Sequence, residues 1–419
     1  MKKLTFLAIL FSLILPMNAF AASIPDSFTL KGSGYGHGVG LSQIGAKGQA
    51  LEGKSSTEII NYYFPNAQVA PVEDTQTIRV NTGHQISAVS FSITSEGQFN
   101  LSSETNTSVS FETSTILSFT ISGKEIVANS RINKSPVVSQ GISKLWTVGW
   151  IGESATVTQK IGAATFKMKY GFIQLRAVPI TGIGYRIEVT ENLRLHDQYL
   201  YGISEVPSSW PMAAMASQVI ASRTYAISRM SKIRKDCDCH VYNTKYDQNF
   251  SGATKEAEVK YGLLWKAAVD STLSDASHGY AITYSGIPIN VYFFSSSGGA
   301  TQKAIDVWGS EIPYLVSVAD PWSLDPLLNP KYANWERTIS QSDMAKAFGL
   351  PDVVKYVVKG RTLTGSVLNV IAYSSSGAKK TLPVGTFKTT LKIPSSWFDL
   401  PVAITLPDTS TVVGTTAAN

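Results

Sequence analysis

The chain has 419 residues, 43% of them hydrophobic, and a formal charge of +6. That length supports two or three domains with a real core and removes any need for a disulfide scaffold. The charge is a mild bias toward anionic surroundings, and without a basic run it argues against a nucleic-acid partner.

Taken in order, the chain opens with Lys2 and Lys3, an apolar run over 4–15 and the small-residue exit Ala19, Phe20, Ala21, Ala22. This reads as a secretory signal peptide cut after Ala21 or Ala22. No later segment reaches the roughly 20 uninterrupted apolar residues of a membrane helix, so the expectation is an exported chain with no stable membrane anchor after cleavage. Next comes GSGYGHGVGLSQIGAKGQALEGKSSTEIINYYFP at 32–65. Gly34, Gly36, Gly38 and Gly40 alternate with Tyr35, His37 and Val39. Glycine at this density weakens a strand and lets backbone approach backbone or ligand closely, so His37 sits in a loop shaped for access.

Residues 56–63 predict a short helix, capped by Ser56 or Thr57, with Ile59, Ile60 and Tyr63 on one face. From about 78 to 189 the runs VSFSI, VSFET, LSFTI and YRIEV alternate apolar and polar residues between Gly, Ser and Asn. This is β-strand chemistry. Ser209, Trp210 and Pro211 then predict the start of the longest helix, with Met212, Met215, Val219 and Ile227 on its apolar stripe. A second helix is expected over 255–272, with Ala257, Tyr261, Leu264, Ala268 and Val269 inward. Strands follow at 281–284 and 289–294, then the loop SSSGGATQ; the tail predicts a helix at 342–348 and strands at 353–358, 366–373 and 387–391. Between the two helices stand Cys237, Cys239 and His240. Two readings compete there: a Cys237–Cys239 disulfide, suited to an exported protein, or a structural zinc held by two thiolates and an imidazole.

Four segments together resemble the SpoIID/LytB family of bacterial cell-wall proteins, which includes lytic transglycosylases and an amidase enhancer. They are GYGHGVGLSQIGA (34–46), YLYGISEVPSSWPMAAMASQVIASRTYA (199–226), DQNFSG (247–252) and YFFSSSGGATQKAIDVWGSEIPYLVSVADP (292–321). In that family the glycine motif normally closes the domain, after a segment resembling KTTLKIPSSWFDL (388–400). Here it opens the chain. The arrangement therefore reads as permuted, with residues 28–31 expected beside 398–402 so that His37 returns to the same place. Two departures stand out: Ala213 and Ala216 replace a usual Glu and Lys, and the stretch 202–207 is about two residues short.

The expected architecture is α+β: a SpoIID-like catalytic region with a long central helix, plus a β-rich inserted domain. Its parts are the signal peptide (1–22), the glycine-motif segment (23–74), the insertion (75–180), the catalytic region (181–406) and a disordered tail (407–419). The resemblance places the family's acidic position at Glu205. Among Val206, Trp210, Tyr199 and Tyr201 its carboxyl would be desolvated and held protonated, ready to donate to a glycosidic oxygen; an exposed glutamate favoured by the helix dipole is the plainer alternative. Hydrolytic glycosidases use two carboxylates. The family chemistry needs one, because the sugar's own C6 hydroxyl attacks and leaves a 1,6-anhydro-muramoyl end. Asp197 and Glu191 read as strand or turn residues rather than a second acid.

Candidate substrate contacts are His37, Gln43, Gln218, Arg223, Thr224, Gln248, Ser295, Ser296, Ser297, Gly298 and Gly299, mostly on loops, where binding groups concentrate. On the helix, Gln218, Arg223 and Thr224 cannot all face one way, and Arg223 could equally hold loop carbonyls. Trp308 and Tyr314 could stack on sugars or serve as core; His84, His196 and His278 carry no motif. The implied partners are peptidoglycan glycan strands and, if the protein is an adaptor instead, a cell-wall amidase. No cofactor is required beyond the alternative structural zinc, and a metal-dependent hydrolase using Cys237, Cys239 and His240 ranks last.

Overall fold

The computed structural model describes residues 23–94, 96–104 and 108–399. The expected signal peptide, the tail from 407 and residues 400–402 lie outside them. The fold is α+β, built around three apolar clusters that answer to different sequence patterns.

The first cluster surrounds the long helix. Serines open two helices ahead of it: Ser42 caps α1 (Gln43–Leu51), and Ser55 with Glu58 makes a reciprocal capping box on α2 (Ser56–Tyr63). The α2 cap is thus one residue earlier than expected, while Ile59, Ile60 and Tyr63 do face inward. The long helix, α3 (Met212–Arg229), begins after Pro211 with no side-chain cap, so Ser209 does not serve as one. Its residues from Ala214 to Ala226 are all buried, the pattern of a helix enclosed on every side. The second expected helix is broken into Ala253–Glu256 and Gly262–Asp270. The chain closes tightly there, since a Cβ on Gly262 would sit 2.1 Å from the Glu256 carbonyl oxygen. Trp265 takes the inward position and donates to the Leu200 carbonyl at 3.0 Å, leaving Leu264 and Ala257 exposed.

The second cluster lies in the β-rich part of the chain. A six-stranded sheet (order 138–143, 125–132, 115–122, 88–93, 157–161, 164–168) and a seven-stranded sheet that includes 77–86, 184–194, 172–180 and 145–151 supply it. Alternation places Val89, Phe91, Leu117 and Phe119 inward from one sheet, against Trp146, Val148, Ile173 and Val189 from the other. The strands Thr77–Ile86 and Gly184–Arg194 carry the link: Ile78, Val80 and Leu193 belong to the first cluster, Ile187 and Val189 to the second.

The third cluster joins the two ends of the chain. Strand Ser27–Ser33 pairs antiparallel with Trp335–Ser340 on one side and with Trp397–Phe398 on the other. Gly32 faces Phe398, and the Asp399 N–H donates to the Lys31 carbonyl at 2.7 Å, so of the expected approach of 28–31 to 398–402 the Lys31 end is present, and 400–402 lie outside the described residues. One tail expectation fails: residues 387–391 are not a strand but part of helix Val384–Leu391. Phe387 is fully buried, with Val384 and Leu391 packed beside it, and that three-to-four spacing overrides the threonines that suggest a strand. The strand expected over 289–294 likewise shrinks to Phe293–Phe294, parallel to Leu41–Ser42.

Candidate active site

A cleft of about 870 Å³ opens where the glycine loop, residue Glu205, the last turns of α3, the 243–249 loop and the 291–295 segment meet. Glu205 is positioned from both sides of its own peptide. The Ser204 N–H donates to the Asn249 carbonyl at 2.8 Å, and the Asn249 N–H returns to Glu205 Oε1 at 2.6 Å. Burial pushes the Glu205 carboxyl up to about 7, against the opposing pull of the Asn249 N–H. The helix-dipole alternative does not apply: α3 starts at Met212, too far for a dipole that fades within the first turn.

Asp247 lines the same cleft and is a second carboxylate in it, yet all its acceptor capacity is committed. Tyr225 donates to it at 2.7 Å, Arg234 at 2.6 and 2.8 Å, and the Tyr242 N–H at 2.8 Å. Burial pushes this carboxyl up, but Arg234 and the other donors outweigh it and the net shift is downward. Asp247 therefore stays ionised and bonded while Glu205 can hold a proton.

His37 faces Glu205's cleft from the glycine loop, among the rings of Tyr292, Phe294 and Trp308 at 6.2, 5.6 and 5.6 Å. Burial first, and the Lys388 charge second, lower it to about 4, with a hydrogen bond to the Phe293 backbone opposing them. Its Nδ1 accepts from the Val39 N–H at 3.1 Å, which assigns the ring proton to Nε2. The glycines earn their place by proximity. At Gly38 (φ +84°) a Cβ would lie 2.4 Å from the Trp397 ring, and at Gly40 (φ +83°) 2.2 Å from the Tyr292 carbonyl oxygen. Gln43, also in the cleft, donates to Gln218 Oε1 at 3.1 Å, and Gln218 donates in turn to Ser222 at 3.1 Å.

The other expected contacts separate sharply. Ser295 lines the cleft. Arg223 does not: it is fully buried, pairs with Asp74 at 2.7 Å and donates to Thr272 Oγ1 at 2.9 Å and the Tyr280 carbonyl at 3.1 Å. Thr224 is buried too, bonding the Ile220 carbonyl and the Ile282 N–H. Gln218 stands behind Gln43, and Gln248 is buried beneath the loop, donating to Tyr199 and the Ser222 carbonyl. Ser296 is buried against Tyr35, Ser297 bonds Asp320 at 2.7 Å, and Gly298 and Gly299 are buried, with Gly298 set against Trp397. These are corrections: for Ser296 to Gly299 the cause is that the SSSGG segment packs against the glycine loop rather than standing exposed beside it, and for Arg223, Thr224, Gln218 and Gln248 it is burial around the long helix.

The zinc reading is also corrected. Cys237 and Cys239 form a disulfide, which uses both thiols, and His240 Nδ1 accepts from the Arg79 N–H at 3.0 Å. Among the described residues no cluster of three His, Cys, Asp or Glu could hold a metal. The disulfide turn has another job: Asp238 accepts from Arg79 and, at 2.9 Å, from Arg176, tying the turn to the strands Thr77–Ile86 and Phe172–Ile180. His84, His196 and His278 pair with Glu188, Asp74 and Asp275, while Asp197 pairs with Arg194 and Glu191 is buried outside the cleft. Tyr314 receives the Asn290 N–H at 3.3 Å, and Trp308 stays 43% exposed beside His37.

Sequence reasoning missed Tyr225, Arg229, Asp247 and Asn249. A signal existed: Gln218, Ser222, Tyr225 and Arg229 stand at i, i+4, i+7 and i+11, a polar stripe along one face of an otherwise buried helix.

Residues 185–278 match the family model described as SpoIID, stage II sporulation protein. The chain is 27% identical over 235 residues to stage II sporulation protein D of Bacillus subtilis (strain 168), covering 50% of this chain and 66% of that protein. It is 30% identical over 186 residues to the protein of the same name from Bacillus amyloliquefaciens (42% and 52%). To the amidase enhancer of Bacillus subtilis (strain 168) it is 28% identical over 141 residues (34% and 16%). The matches thus span at most 66% of these relatives. No solved structure matches the chain. These matches support a relationship of the chain to the SpoIID/LytB family.

Proposed function

We propose that this is an exported, cell-wall-associated protein that cleaves the MurNAc–GlcNAc bond of peptidoglycan glycan strands as a lytic transglycosylase. One observation carries the reading: Glu205 is a carboxyl raised to about 7 in an open cleft whose other carboxylate, Asp247, is tied to Arg234. A protonated Glu205 donates to the glycosidic oxygen as the bond from C1 breaks. The resulting carboxylate accepts the proton of the C6 hydroxyl while that oxygen bonds to C1. The proton is back on Glu205, no water has been added, and the product ends in a 1,6-anhydro ring. His37 and Gln43 line the same cleft and give it polar edges. This chemistry asks for no metal and no cofactor. The test is mass spectrometry of glycan strands incubated with the protein or with Glu205→Gln. Anhydro-muramoyl ends from the first alone are expected; unchanged strands in both overturn the reading.

The similarity to an amidase enhancer favours a second reading, a non-catalytic wall-binding partner of an N-acetylmuramoyl-L-alanine amidase. Under it, Glu205→Gln leaves stimulation of an added amidase intact.

A further inference from the structure

We infer that Arg229 is a specificity residue of the cleft and that its ligand is a carboxylate of the substrate; this rests on the cleft being the glycan site. Arg229 is in the last turn of α3 and lines the cleft, its guanidinium 4.8 Å over the Tyr225 ring. Among the described residues no carboxylate pairs with it, and its Nε–H is buried without an acceptor. A cation at a helix C-terminus is favoured by the dipole and by an aromatic face, but neither gives that N–H a partner. Buried unpaired donors are rare enough in native structures to need a reason.

The charges facing Arg229 explain why a ligand must supply it. The Tyr225 hydroxyl is committed to Asp247, and Asp247 to Arg234. His37 is held neutral, Glu205 carries little charge below about 7, and Lys245 on the facing loop adds another cation. The cleft is therefore net positive, and although the Arg229 guanidinium also meets the Tyr225 hydroxyl, it has no carboxylate partner among the described residues and its Nε–H stays without an acceptor. A planar fork of N–H donors matches a carboxylate with two parallel bonds, which an ammonium cannot reproduce. Glycan strands offer such a group in two forms: the lactyl carboxylate of a muramoyl residue, or the carboxylates of an attached peptide. An N-acetylglucosamine oligomer has neither.

The experiment is calorimetric titration of the full chain carrying Glu205→Gln, so that no strand is consumed, with and without Arg229→Met or Arg229→Lys. The probes are peptide-free muramoyl strands, peptide-bearing strands and a neutral N-acetylglucosamine oligomer of equal length. The reference protein should prefer a carboxylate-bearing strand over the neutral oligomer, and Arg229→Met should shrink that preference by roughly ten- to a hundredfold. Arg229→Lys should recover only part of it, and added salt should weaken it. Loss of preference confined to peptide-free strands assigns the lactyl group; confined to peptide-bearing strands, the peptide. An unchanged preference ratio, or equal loss on all three probes, overturns the role of Arg229 while the glycan reading stands. No binding of any probe by the reference protein overturns both.

Discussion

At the scale of single residues, burial gives Glu205 two linked properties. A carboxyl raised from 4.5 to about 7 is a competent acid near neutrality, so cleavage should decline as pH rises past about 7. The same shift is a stability statement. The folded chain binds the Glu205 proton more tightly than the unfolded chain, so this contribution is complete below about 4.5 and is lost as pH climbs through about 7. Glu205→Gln should therefore melt with the parent at pH 4.5 and above it at pH 8.5, by roughly 1–3 kcal/mol. Calorimetry at both pH values checks this, and equal melting at pH 8.5 means the carboxyl is solvated. His37 carries the opposite sign: its imidazole is lowered from 6.5 to about 4, so its share of stability is complete above 6.5 and lost as pH falls through about 4. An NMR titration should place its midpoint at least two units below that of an exposed histidine.

At the scale of elements, Arg223 decides what α3 is for. Paired with Asp74 at 2.7 Å, both without solvent exposure, it pins the helix to the strand Gln68–Glu73 and its following turn, and Asp74 also bonds His196 at 2.6 Å. Arg223→Met leaves a buried carboxylate without its cation, and thermal unfolding should show a loss of about 3–5 kcal/mol. A substrate ligand would instead lose affinity with the fold intact. This pair was not legible beforehand because its partners are 149 residues apart, and periodicity reports a face but not what meets it. Local signals read better. The Ile59, Ile60, Tyr63 face was plain, as was the alternation of Val89–Phe91 and Leu117–Phe119, while the cap of that helix is Ser55, one residue before the expected Ser56 or Thr57. Glu205 was legible only through its motif; its Asn249 partner, 44 residues on, was not. Where threonines flanked a helical stripe, as at 384–391, residue preference misled and burial of Phe387 with Val384 and Leu391 decided.

At the scale of the whole molecule, the glycine loop is held by both ends of the chain. Strand Ser27–Ser33 enters it between Trp335–Ser340 and Trp397–Phe398, Lys388 donates to the Gly36 carbonyl at 2.7 Å, and Gln302 donates to the His37 carbonyl at 3.1 Å. Every one of these contacts is spatial rather than sequential, so the order of the segments should not matter. A chain opened between Pro65 and Asn66, both exposed, with Asp399 joined to Pro25 by a short linker, tests this. From Lys31, which Asp399 adjoins, back to Pro25 is about 20 Å of extended chain, within reach of a linker of roughly seven residues. The permuted chain should unfold cooperatively near the parent's temperature and match the parent in the proposed glycan binding and cleavage. A chain that folds but has lost activity would show that the segment before the loop, and not only its contacts, sets the position of His37.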